Sequence, residues 1–344
     1  MIHTAIEELL KRCFPGSDEY FARYMRLRYE KDRSITVTDN DSGKLLGVTQ
    51  LIAYPMTCFG SVVDTSYIYS ACVHPEYRNQ GIMRRILASA LQENREKGDV
   101  LSTLIPAEPW LYDYYQRVGH YVPLFRYAVD NHYFTGNESL DTRYTLHVAT
   151  AVETSFGDYL MQRMRLRPCC VQHTDEELTF ILDDLRSEGC LFFSLRLGND
   201  FTALAVGCKE EDSTDTLRLI ELLADTPETA HQLLTAISRH TTVRRMRIHT
   251  PATADKPSFR MGSARIVNPL PLLRIYAAKY PEVRRDLLLT DPILPQNNGY
   301  YRLADNTCEY GNIPPSDSYE TLTIGELTEL LFAEELPYMS LMIN

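Results

Sequence analysis

One stretch, Val73-His74-Pro75-Glu76-Tyr77-Arg78-Asn79-Gln80-Gly81-Ile82-Met83, constrains this chain more than any other. An apolar, aromatic run over residues 66–73 leads into it and is closed by Pro75, the pattern of a β-strand. Behind it, Ile82, Met83, Ile86, Leu87, Ala90 and Leu91 recur at helical spacing. A strand, a short polar loop with one glycine, then a helix gathers backbone N–H groups at a helix N-terminus. Such a site holds a phosphate or pyrophosphate without a metal. Gly81 lets the backbone approach an anion closely, and Arg78 adds a fixed positive charge. Asn79 and Gln80 complete the loop, and Ile82 and Met83 open the helix. An ordinary strand–turn–helix with a solvated arginine shares the local pattern, so a second motif is needed.

Tyr112-Asp113-Tyr114-Tyr115-Gln116-Arg117-Val118-Gly119-His120-Tyr121 supplies it. A strand over Val100–Ile105 precedes it, ending at Pro106, and Gly119 fits a left-handed residue just past a helix end. Val73-x-Pro75-x-x-Arg78-x-x-Gly81-Ile82 resembles the acetyl-CoA signature of the GCN5-related N-acetyltransferases, with Met83 where that family has glycine or alanine. Tyr114, Tyr115 and Gly119 match its Phe-Tyr-x-x-x-Gly-Phe segment. The resemblance implies acetyl-CoA as co-substrate and no metal. It also implies Tyr115 as the general acid and main-chain contacts from Ala71, Cys72 and Val73 to the pantetheine arm.

Length points to two or three domains in 344 residues, and 44% hydrophobic content is ordinary for a globular protein. No apolar run reaches membrane-span length, and Met1-Ile-His-Thr-Ala-Ile-Glu-Glu lacks the regions of a signal peptide. The eight cysteines form no Cys-x-x-Cys pair and no zinc-like set, so they read as free thiols in a reducing cytoplasm. A net charge of −11 argues against nucleic acid as the partner and is compatible with a cationic amine acceptor, a small molecule or a peptide. Assembly into a homo-oligomer is left open.

Up to about residue 130 the chain reads as α/β. Helices are expected over Ile6–Cys13 and Glu19–Tyr29, and strands over Ser34–Thr38, Lys44–Ala53 and Ser61–Val73, with a turn at Asp39–Gly43. From 131 to 262 the same succession returns without Arg-x-x-Gly, and reads as a degenerate second copy. Residues 263–344 give a short strand, an amphipathic helix, a proline-marked loop between strands and a final helix. Val267–Leu272 followed by Asp291–Arg302 resembles the sterol-carrier-like domain closing the "enhanced intracellular survival" acetyltransferases. The expected fold class is therefore α/β (α+β). Tandem acetyltransferase folds with mixed, largely antiparallel sheets occupy 1–130 and 131–262, and a sterol-carrier-like α+β domain occupies 263–344.

Acetyl transfer to an amine needs a positioned thioester, a deprotonated amine and a proton for the departing thiolate. The resemblance implies that the C-terminal carboxylate, here that of Asn344, acts as base. The tail Tyr338-Met-Ser-Leu-Met-Ile-Asn344 is apolar enough to thread inward. Glu108 is an alternative base, and Trp110, the single tryptophan, is a candidate lining of the acceptor pocket. Two other readings compete. One is a lipid- or small-molecule-binding protein using its last domain over a non-catalytic scaffold. The other is a cofactor-binding regulatory protein without turnover.

Overall fold

Some helices of this protein start where a side chain accepts from a backbone N–H group. A computed structural model describes residues 2–149, 153–210, 213–314, 316 and 318–342. Helix α1 (Ile2–Cys13) buries Ile6, Leu9 and Leu10 along one face, the helical spacing seen in the sequence. Ser17 caps α2 (Asp18–Leu27), its hydroxyl accepting from Tyr20 N at 3.1 Å. Strands β1 (Ser34–Thr38) and β2 (Leu45–Ala53) follow, then a tight hairpin of β3 (Met56–Cys58) and β4 (Ser61–Val63). The strand expected over 61–73 is thus two. Left-handed Phe59 and Gly60 turn the chain so that β4 pairs back on β3, and β5 (Thr65–Val73) starts afresh against β2. Helix α3 (Ile82–Lys97) ends at left-handed Gly98, and β6 (Leu101–Leu104) and α4 (Pro109–Gly119) complete this part.

Strand β7 (Val122–Tyr133) leads into β8 (Tyr144–Ala149), α5 (Thr154–Met164), the short β9 (Cys170–Val171) and α6 (Asp175–Ser187). Next come β10 (Leu191–Leu197), β11 (Asp200–Lys209), β12 (Thr216–Ala224), α7 (Pro227–Thr241) and β13 (Arg245–Pro251). Then follow β14 (Phe259–Ile266), α8 (Pro269–Lys279), β15 (Arg285–Thr290), β16 (Gly299–Ala304), β17 (Thr307–Gly311), β18 (Glu320–Thr323) and α9 (Ile324–Phe332). Reciprocal capping boxes start α7, between Thr226 and Thr229, and α9, between Thr323 and Glu326.

The chain forms two compact units. Unit 1 joins Met1–Leu124 to Met261–Glu335, and unit 2 joins Phe125–Arg260 to Leu336–Asn344. In unit 1, antiparallel β1, β2 and β5 are followed by α3 and by β6, parallel to β5. In unit 2, antiparallel β10, β11 and β12 are followed by α7 and by β13, parallel to β12. A helix pair stands ahead of each meander, so one topology occurs twice, as the sequence reading expects. The protein is mixed α/β with largely antiparallel sheets. Unit 1 also holds the four-stranded sheet β17-β16-β15-β18, packed by α8 and α9.

Two strands are exchanged. β7 follows α4 directly but pairs with β13 in unit 2, whereas β14 follows unit 2's loop but pairs with β6 in unit 1. No helix among the described residues is long and apolar enough to cross a membrane. One expectation fails. Cys190 and Cys208 form a disulfide rather than carrying free thiols. The register sets Leu191 opposite Gly207, which makes the two cysteines the next cross-strand neighbours.

His249, on β13, carries a pH prediction. Burial, then the Arg218 and Arg247 charges, lowers its pKa from 6.5 to about 4. Between these values the unfolded chain binds a proton that the folded one refuses, so stability rises with pH across that window. His249→Asn is expected to flatten the stability profile between about pH 4 and 6.5. Denaturant titrations across that range check it, and an unchanged slope counts against the assignment.

Candidate active site

The site in unit 1 is built around an incomplete strand pairing. β5 and β6 pair only at Thr65–Leu101, Ser66–Ser102 and Tyr67–Thr103. From Ile68 the ladder to β6 stops, while β5 continues to Val73 against β2. An irregularity marks the divergence. The β2–β5 register shifts between Val48 and Gln50, Thr49 donates its hydroxyl to Tyr69 O at 2.9 Å, and Ser70 is left-handed with φ 52°. Over Ala71, Cys72 and Val73, β5 therefore has no ladder partner on β6, an edge to which an extended ligand could add.

The strand runs straight into the loop singled out by sequence. A turn of 3-10 helix spans Pro75–Tyr77, and Arg78 folds back, donating Nε to Val73 O at 3.4 Å. Asn79 and Gly81 are both left-handed, at φ 62° and 76°. Alternation of handedness turns successive N–H groups into one concavity, a nest for an anion. Gly81 caps α3, and nothing lies within 4 Å of the position a Cβ would take there, so the approach is open. By helix geometry the N–H groups of Ile82, Met83 and Arg84 have no acceptor inside α3. Ile82 is buried with Val37, Leu46, Val73 and Ile86, and half-buried Met83 packs on the same cluster. The methionine therefore points its side chain into the core. Arg84 and Arg85, exposed in the first turn of α3, add charge that the sequence reading missed.

Tyr115 is 8% exposed on α4, among Leu51, Ile68, Leu87, Leu104 and Tyr121. Its ring meets Tyr114 edge-on at 5.6 Å and Tyr121 at 6.2 Å. Burial raises the phenol's pKa, with Tyr121, Tyr114 and the Cys72 thiol adding to the shift. The phenol thus stays protonated through neutral pH and shares its surroundings with Cys72 of β5. The end of α4 differs from expectation: the left-handed residue is His120, with φ 57°, and Gly119 remains helical. Gly119 is needed for space, since a Cβ there would sit 2.7 Å from the Tyr121 ring.

Glu108 is exposed at the N-cap position of α4, and Trp110, in its first turn, is 64% exposed with Tyr114 at 6.3 Å. Asn344 lies outside the described residues. The tail before it is anchored within unit 2. Tyr338 N donates to Cys169 O at 3.1 Å, and Val171 N to Tyr338 O at 3.0 Å. His173 Nε2 donates to Ser340 O at 2.8 Å, and the Ser340 hydroxyl donates to Glu221. Glu221 is fully buried and takes both Arg167 nitrogens, at 2.7 and 2.8 Å.

One reactive group escaped the sequence reading. The Cys13 thiol, at the end of α1, donates to Val73 O at 3.5 Å. Hydrogen bonding with Cys72, then the Arg78 and Arg12 charges, outweighs burial and lowers its pKa to about 7. No spacing rule links residues 13 and 72. We expect iodoacetamide at neutral pH to label Cys13 before buried Cys58 or Cys308, whose thiols burial pushes up to about 12. Peptide mass spectrometry over time checks this, and equal labelling rates would refute it.

Residues 3–122 match the family model for an acetyltransferase (GNAT) domain. A GCN5-related N-acetyltransferase from Anabaena variabilis is similar in fold, with TM-score 0.73, 15% identity, and 98% of this chain and 96% of that chain covered. Another, from Kribbella flavida, gives TM-score 0.72, 18% identity, and coverage of 99% and 95%. Eis1 from Mycobacterium abscessus gives TM-score 0.71, 13% identity, and coverage of 96% and 87%. No curated protein matches the chain.

Proposed function

We propose that this chain, which belongs to the GNAT superfamily of acyltransferases through its domain at residues 3–122, moves an acetyl group from acetyl-CoA to a primary amine. The observation that carries this reading is the continuous path from the unpaired edge of β5 through left-handed Asn79 and Gly81 to the start of α3. An extended arm ending in a pyrophosphate needs that order of donors. In this reading residues 1–130 hold the acyl-CoA, 131–262 are a degenerate partner and 263–344 are sterol-carrier-like.

Acetyl-CoA supplies the activated thioester. The chain's residues supply position and protons. Ala71, Cys72 and Val73 bind the pantetheine arm through the main chain. Arg78 with the N–H groups of Asn79, Gln80, Gly81, Ile82 and Met83 holds the pyrophosphate. Tyr115 donates its phenolic proton to the departing sulfur, because burial keeps the phenol protonated. The Asn344 carboxylate takes the proton of the attacking amine, with Glu108 as the alternative base. Trp110 contributes to the acceptor side.

Two variants test the reading. Arg78→Glu is expected to weaken acetyl-CoA binding about tenfold or more, close to 1.4 kcal/mol, in calorimetry. Tyr115→Phe is expected to lower kcat about a hundredfold, with acetyl-CoA affinity changed by no more than about twofold. An unchanged kcat at saturating substrates removes Tyr115 from the chemistry. Wild-type affinity in Arg78→Glu removes the loop from the cofactor site. A screen of amine acceptors with thiol release as readout identifies the second substrate.

A further inference from the structure

Unit 2 has a basic cavity that the acetyltransferase reading does not use. It measures about 300 Å³ and is lined by Val129 and Asn131 of β7, Arg245 and Arg247 of β13, Lys256 and Pro257 of the following loop, and Phe259 at the start of β14. That volume is at the small end for a ligand pocket. The strand register builds its floor. Arg247 stands opposite Asn131 and Arg245 opposite Tyr133, while Arg218 of β12 stands opposite Arg247. Side chains alternate across a sheet, so these residues share one face. Met246 and Ile248, between them, are buried in the core on the other face.

Charge on this face is not balanced internally. Arg247 pairs with Glu210 at 3.0 Å, and Lys256 with Asp130 at 2.8 Å. Arg245 instead donates Nε and Nη2 to the Asn131 amide oxygen, at 3.2 and 2.6 Å, and lies 5.5 Å from the Tyr133 ring centre. Neither partner carries a charge, so its positive charge remains available. The low proton affinity of His249, on the same face, reflects burial and then the Arg218 and Arg247 charges. In a chain of net charge −11 this is a local reversal of sign.

An aromatic surface borders the cations. His249 and Tyr127 lie ring to ring at 4.7 Å, and Tyr127 and Phe259 at 5.4 Å, both 31° from parallel. The column ends in Phe259, 52% exposed and lining the cavity. Inorganic phosphate would leave that ring unused, and a neutral planar molecule would leave the guanidinium groups unused.

We propose that this cavity binds a nucleoside monophosphate, its base on Phe259 and its phosphate on Arg245, Arg247 and Lys256. Stacking on an aromatic face and bidentate contacts from arginine are the two interactions that select such a ligand. The residues lining the cavity all belong to unit 2, whereas the Arg78–Gly81 loop belongs to unit 1, and the test does not depend on turnover.

Calorimetry of the full chain with AMP decides the matter. The expected dissociation constant is on the order of 0.1 mM. Adenosine and inorganic phosphate are each expected to bind about tenfold more weakly or worse. Arg245→Glu and Phe259→Ser are expected to lose at least about tenfold in AMP affinity, and Arg78→Glu to lose none. Arg245→Gln, which removes the guanidinium without introducing a negative charge, guards against a folding defect and is expected to lose affinity too. The proposal fails if AMP does not bind up to about 5 mM. It fails if Arg78→Glu removes binding while Arg245→Glu does not, since the AMP then sits in the unit 1 loop. Equal affinity for phosphate and AMP also overturns it, because Phe259 then plays no part.

Discussion

Replacing Asp291 with alanine is expected to lower the melting temperature by roughly 8–15 °C, the largest stability loss foreseen for any single substitution in unit 1. Asp291 and its partner Arg265 have fully buried side chains. Both Asp291 oxygens accept from Arg265 Nη2, at 2.5 and 2.6 Å. The backbone N–H groups of Ile293 and Leu294, each at 3.0 Å, and the Asn297 amide at 2.9 Å complete the shell. Arg265 also donates to Gly119 O at 2.8 Å, so the pair ties β14 and the loop after β15 to the end of α4. Removing the carboxylate leaves a guanidinium buried without its counter-charge, a cost of about 3–5 kcal/mol. The exposed Arg284–Asp305 pair is the control, and its loss should cost less than about 1 kcal/mol. Burial alone would raise the Asp291 pKa, but the Arg265 charge and hydrogen bonds overcome it and the pKa is lowered. Its contribution is then complete above the unfolded value near ~3.9 and is lost as pH falls through the folded value. Asp291→Ala should therefore lack that part of the acid transition. Calorimetry showing a melting point within about 2 °C of the parent would refute the account.

Deleting Ile343 and Asn344 is expected to abolish acetyl transfer while leaving acetyl-CoA affinity and melting temperature close to those of the parent. The described residues anchor the tail through Ser340, which contacts Glu221 and His173, and through buried Leu341, and the deletion leaves these residues in place. Two residues of extended chain reach roughly 7 Å. A carboxylate with a pKa near ~3.5 is ionised at neutral pH and able to accept the amine proton. A shortened chain ends in a carboxylate about that much out of place, beyond hydrogen-bond range. Full activity in the folded, clipped protein would move the base elsewhere, with Glu108→Gln as the next variant. Retained folding with lost turnover separates a chemical role of the terminus from a structural one.

The parts of the fold that were legible in the sequence depend on neighbours in the chain. Arg78, Gly81 and the apolar positions of α3 lie within one strand–loop–helix, and their spacing predicts a helix that starts after a glycine loop. The repeated meander was legible for the same reason, because strand and helix periods are local. What could not be read is pairing at a distance. Cys190 and Cys208 become neighbours only through the β10–β11 register. Arg265 and Asp291 meet only once β14 has joined β6, and Cys13 is activated by residues on β5 and its loop. His120 takes the left-handed place foreseen for Gly119, and the missing side chain of Gly119 leaves room for the Tyr121 ring.

The strand exchange has a consequence for how this protein is made. β6 receives its second neighbour, β14, only after residues 125–260 have been synthesised. At about 5–20 residues per second, that interval is roughly 7 to 27 seconds of translation. Throughout it, the sheet of unit 1 ends in an open edge at β6, the kind of edge that pairs with other chains. The half that matches the acetyltransferase domain model is translated first yet completed late. A nascent chain stalled or cut near residue 130 would carry every residue assigned to the pyrophosphate and to Tyr115, but lack the strand that closes their sheet.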